Sequence, residues 1–158
     1  MTNDELMNYF GAMAIFSAEF GSVPTGKEQW RERLTAIKKR YALYQRMVDD
    51  GVCSWERGDP YSIADWLMIF TPIERGAWSD IRELPFSVWP QYPVGKYFVD
   101  FAIVHKRIAI ECDGAAYHDA KKDAIRDADL LRMGWHVVRI PGRDCWTDEC
   151  GQIIKGLA

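Results

Sequence analysis

The chain has 158 residues, 48% of them hydrophobic, with seven each of Trp, Tyr and Phe. That content excludes a disordered polymer and is enough for one ordinary core with a helical annex. A formal net charge of −3 gives no global basicity that would advertise nucleic acid, and no apolar stretch approaches the roughly 20 residues of a membrane span. The opening MTNDELMNYF lacks a signal-peptide n-region, so the expectation is a cytoplasmic protein. Cys53, Cys112, Cys145 and Cys150 are then expected to be free thiols.

Taken in chain order, Leu6, Phe10, Met13, Ala14 and Ser17 recur at helical spacing from Asn3 to about Phe20, and GSVPTG breaks that helix. A second helix is predicted from near Lys27 to Asp50. Its apolar stripe is Trp30, Leu34, Ile37, Tyr41, Tyr44 and Met47. Lys38, Lys39 and Arg40 on it read either as a solvated face or as a contact to a phosphate backbone. SIADWLMIF reads as a short helix. Thr71 and Pro72 suit the N-cap and first turn of another, which runs to about Glu83. SVWPQYPVGKYFVDFAIV reads as one strand, with Pro90 and Pro93 confining its early part to an edge or loop. RIAIECD and WHVVRI read as two more strands, separated by a helix that ends at Gly134. A loop and short helix follow from Asp144.

The acids inside the strands carry the chemistry. Suppose His105 and Lys106 form a two-residue turn. Val104 then faces Arg107, and Asp100 lies opposite Glu111; a four-residue loop gives the same pairing, and an odd-length loop shifts it by one. Directly opposed residues stand roughly 4.5–5.5 Å apart at Cβ, and alternation puts Glu111 and Asp113 on one face. Like charges that close need a proton or a cation. Oxygen-only ligands suit Mg²⁺. The bland reading is a set of salt-bridged acids on a solvated face. Downstream, His118, Lys122 and Arg126 share one helix face that is placed to overhang the acids. A His there suits acid–base work and a Lys or Arg suits a charged phosphate; Lys121 is the alternative lysine.

TPIERGAW, QYPVGKYFVDF, IAIECDGAAYH and DAIRDADLLRMGWHVVRIP, in this order and spacing, resemble the PD-(D/E)xK nuclease superfamily. More narrowly, they resemble the family related to the very-short-patch mismatch repair (Vsr-like) endonucleases. The resemblance spans Thr71 to Arg143. It implies an α/β, restriction-endonuclease-like mixed sheet flanked by helices over residues 71–158, preceded by a helical region over residues 1–70. Carried over by position, Asp100 resembles the first metal-binding acid and Glu111 takes the place of the second. Asp113 stands where the superfamily usually has its lysine and where the mismatch-repair enzymes have one of their histidines. His118 matches their other histidine. Glu74 matches a helix acid that the family places near the metal, although Thr71 and Glu74 also spell a capping box.

The expectation is therefore a metal-dependent DNA endonuclease using Mg²⁺, with Mn²⁺ as a substitute. Asp100, Glu111 and Asp113 are the expected metal ligands, with His118, Lys122 and Glu74 assisting. Gln91, Lys96, Lys121 and Arg126 are the expected nucleic-acid contacts. The rival expectations are a non-catalytic nucleic-acid- or partner-binding domain on a nuclease fold, and a helical interaction protein built on residues 1–70. Association as a homodimer, or with a protein partner through the N-terminal helices, is expected alongside.

Overall fold

The computed structural model describes residues 23–114, 119–146 and 149–157. The helix expected over residues 3–20, and His118, lie outside them. The chain divides into two compact units, residues 1–69 and 70–158. In the first, helix α1 spans Gly26–Asp49. It buries Ile37, Tyr41, Tyr44 and Met47 at the predicted spacing. Trp55 and Trp66 pack on Tyr41, and Trp55 also on Tyr44, with ring centroids 4.7 to 6.5 Å apart. The basic run on α1 divides. Lys38 and Lys39 are exposed, whereas Arg40 is buried and donates to the Ile63 carbonyl at 2.6 Å. SIADWLMIF does not form one helix. Two short 3-10 turns, Pro60–Ser62 and Trp66–Met68, occupy the region. Asp59 caps the first through the Tyr61 amide, and the fully buried Trp66 anchors the second.

The second unit holds helix α2, Pro72–Ile81, strands β1, Trp89–Val94, β2, Tyr97–Ile103, and β3, Ile108–Asp113, helix α3, Ala120–Arg132, strand β4, His136–Pro141, and helix α4, Glu149–Lys155. The sheet order is β1-β2-β3-β4. The first three strands are antiparallel and β4 runs parallel to β3, so the sheet is mixed. The single long strand expected from Ser87 to Val104 is instead a hairpin. Gly95 turns it with a φ of +58°, in the left-handed region where glycine is unstrained. Pro90 and Pro93 do sit on an edge strand.

Side-chain alternation sorts the two faces. Ala102 and Ala109 are partners and join Leu130 and Trp135, at the end of α3 and just after it, in one cluster. Phe101 and Ile110 point the other way. There Phe101 stacks on Trp78 of α2, with planes 5° apart, and meets Phe70 at 5.5 Å. Val94 and Val99 belong to the same cluster as Ala102, although strict alternation would put Val99 on the opposite face. The phase change falls at one place. The β1–β2 register runs Pro90↔Phe101 then Tyr92↔Val99, stepping over Gln91 and Asp100, and Gln91 has a φ of +47°.

Candidate active site

Asp100 stands opposite Glu111. The β2–β3 register is Phe101↔Ile110, Ala102↔Ala109 and Ile103↔Ile108, and one further step brings the two acids together. The connection contains the 3-10 turn Val104–Lys106 and closes on Arg107, which has a left-handed φ of +54°. This is the four-residue loop that keeps the even register.

Three carboxyl groups converge from three elements. Asp100 comes from β2, Glu111 from β3 and Glu74 from the first turn of α2. Asp100 Oδ2 accepts the Cys112 N–H at 2.8 Å. Glu111 is 4% exposed. Burial, then the charge of Asp100, pushes its carboxyl up to about 9, against the opposing pull of Arg126. Burial and Asp100 likewise raise Glu74 to about 8, although the Thr71 amide opposes the rise. In their protonated forms both Glu side chains donate to Asp100. Glu74 fills both roles expected of it. Its Oε2 accepts the Thr71 N–H at 2.8 Å and completes the capping box, while its Oε1 accepts from Gln91 Nε2 at 3.3 Å. Gln91 is thus held at the acids, in a backbone conformation that costs a non-glycine residue energy and is concentrated at functional sites.

Arg126 lies against the site rather than out on the surface. One terminal nitrogen, Nη2, meets Glu111 Oε1 at 2.5 Å and donates to the Phe98 carbonyl at 2.7 Å. The guanidinium lies 5.7 Å from the centre of the Tyr97 ring. Asp113, on the same face as Glu111, is held by Arg139. That guanidinium binds Asp113 Oδ1 at 2.9 Å and Asp127 through two bonds of 2.8 and 3.3 Å. Lys121 and Lys122 are exposed in the first turn of α3, where Asp119 caps their amides. Lys96 is exposed at the hairpin tip, 5.3 Å from the Tyr97 ring centre.

Two groupings were hidden in the sequence. Arg139 faces Glu111 in the β3–β4 register, which only the parallel pairing reveals. On the opposite side of β3, the Cys112 sulfur is hydrogen-bonded with Cys145, which in turn bonds Cys150. All four thiols are free.

The donor set fits a hard divalent cation, because all three converging groups offer oxygen. Among the described residues, no three or more His, Cys, Asp or Glu side chains form a ready-made metal cage. Mg²⁺ does not need one, since one or two carboxylates plus water and phosphate suffice. Among the described residues, no helix is long and apolar enough to cross a membrane.

Known proteins show the same part of the chain. The sequence model of the REase_MTES_1575 family matches residues 74–157. The uncharacterized protein YcjD of Escherichia coli K12 is 35% identical over 80 residues, covering 48% of this chain and 64% of that protein. An uncharacterized Haemophilus influenzae protein is 36% identical over 75 residues, covering 44% and 62%. The chain therefore spans less than two thirds of the length of these relatives. The catalytic domain of the homing endonuclease I-Bth0305I superposes with a TM-score of 0.46 at 23% identity, covering 54% of this chain and 92% of that domain. With a match over more than half its length, the chain belongs to the REase_MTES_1575 family of restriction-endonuclease-like, PD-(D/E)xK-type nucleases.

Proposed function

We propose that the protein is a divalent-metal-dependent DNA endonuclease that hydrolyses phosphodiester bonds at the Asp100–Glu111 site. One observation carries the reading: Glu74 and Glu111 both meet Asp100 although its charge raises the cost of ionising each of them. A structural role alone gives no reason to concentrate carboxyls in a half-buried spot, whereas a cation site does. Asp100 and Glu111 would hold the ion, Mg²⁺ or Mn²⁺. When bound, such a cation polarises the phosphodiester and lowers the pKa of an attacking water.

The chain's own residues set the geometry. The Cys112 N–H fixes one Asp100 oxygen and leaves the other for the ion. Gln91 and the Thr71 amide hold the two Glu74 oxygens, so Glu74 acts by orientation and charge. We assign Asp113 to support, because Arg139 occupies one of its oxygens and ties it to Asp127. Lys122 and His118 are assigned to the substrate side, for charge stabilisation and proton transfer. Lys96, exposed at the hairpin tip, and Lys121, exposed in the first turn of α3, are assigned to the phosphate backbone.

The test is a panel of plasmid, linear, nicked, mismatched and single-stranded DNA, with RNA beside them, each in Mg²⁺, Mn²⁺ or EDTA. Cleavage of DNA that stops in EDTA is expected. A folded, metal-binding protein that cuts nothing on the panel would favour a binding domain on a nuclease fold.

A further inference from the structure

We propose that Arg126 is the resident counter-ion of the acid cluster: its guanidinium holds Glu111 in the metal-free protein and competes with a divalent cation for that carboxylate. The inference rests on the site reading above and assigns the site a built-in control over metal affinity.

The first argument is position. Arg126 Nη2 lies 2.5 Å from Glu111 Oε1, where a ligand oxygen of a bound cation would have to face the ion. A guanidinium and a divalent ion sharing that oxygen would stand about 4 Å apart, and two cations at that spacing repel strongly in a partly buried site. The second argument is the arginine's other contacts. The same nitrogen donates to the Phe98 carbonyl, and the guanidinium rests by the Tyr97 ring. Neither partner is an acid, so both contacts keep the side chain in place when Glu111 is surrendered. The third is a contrast on the same face. Arg139 is gripped by two carboxylates through three bonds. Among the described residues, Arg126 has one carboxylate, and its buried Nε has no hydrogen-bond partner. Arg139 is built to stay and Arg126 is built to let go.

The experiment is calorimetric titration of the full chain with Mn²⁺ alone. Wild type would run beside Arg126→Met, an uncharged side chain with a similar aliphatic stem, and Asp100→Asn, with circular dichroism as the check on folding. Arg126→Met is expected to bind Mn²⁺ about 10-fold or more tighter than wild type. Equal or weaker binding by a folded Arg126→Met overturns the inference. Undiminished binding by Asp100→Asn would overturn the site reading beneath it, a separate outcome. A second measurement needs no variant. The Arg126 Nε–H resonance of the wild type, assigned through its own backbone, is expected to shift as Mg²⁺ is added, with a midpoint at the Mg²⁺ dissociation constant. A resonance unmoved at saturating Mg²⁺ overturns the displacement.

Discussion

Replacing Asp100 with asparagine tests the electrostatics of the cluster before any catalysis is involved. Glu74 and Glu111 ionise near pH 8 and 9 in the folded protein, against roughly 4.3 in an unfolded chain. Between those values the folded state holds more protons than the unfolded state. The stability that these two groups contribute is therefore fully present below about pH 4.5, is lost as pH rises, and levels off once the folded groups ionise. Each carboxyl contributes a penalty of about 3 kcal/mol at pH 7 on these values. Coupling between the two makes a combined loss of about 2–5 kcal/mol between pH 5 and pH 7 the realistic scale. The Asp100→Asn side chain would retain an oxygen acceptor for the Cys112 N–H while removing the charge that acts on both glutamates. Burial remains as the first cause of both shifts, so the slope should lessen rather than vanish. Urea denaturation of both proteins in EDTA, at pH 5, 6, 7 and 8, measures this. Stability that is flat in pH for the wild type, or a slope unchanged by Asp100→Asn, would refute the reasoning.

Other consequences follow from single contacts. Asp113→Asn should cost about 1–2 kcal/mol, because it weakens the charged bond to Arg139; denaturation measures it, and Mn²⁺ affinity within about threefold of wild type would separate Asp113 from the ligands. Gln91→Gly removes the strained φ of +47° and the bond to Glu74 together. Stability within about 1 kcal/mol of wild type is expected, with a loss of metal affinity in titration as Glu74 keeps only its hold on the Thr71 amide. Phe101→Ala empties a fully buried position against Trp78 and Phe70 and should cost about 3–5 kcal/mol in thermal unfolding.

The central pairing was legible because an even loop centred on His105 and Lys106 puts Asp100 opposite Glu111 whether it holds two residues or four. Glu74 was legible twice, as a capping residue and by family position, and its two oxygens serve both ends. What stayed hidden needed three dimensions. The break in the first strand rested on Gly95 between Val94 and Lys96, a single glycine between two strand-like runs. Arg40 looked like part of a solvated basic run, yet a carbonyl 23 residues away claims it. Asp113 seemed to belong with Glu111 by alternation, and it does share that face. The parallel strand that brings Arg139 beside it cannot be registered from sequence. Helical spacing grouped Arg126 with Lys122, but only the packing of α3 on the sheet decides that Arg126 turns inward while Lys122 stays exposed.

The most direct measurement is plasmid cleavage at several Mg²⁺ concentrations by wild type, Asp100→Asn, Glu111→Gln and Asp113→Asn, each shown to be folded. The account predicts nicking or linearisation that rises with Mg²⁺ for wild type and persists in Asp113→Asn. Loss by at least about 100-fold is expected in the other two variants. Full cleavage by Asp100→Asn or Glu111→Gln would contradict it.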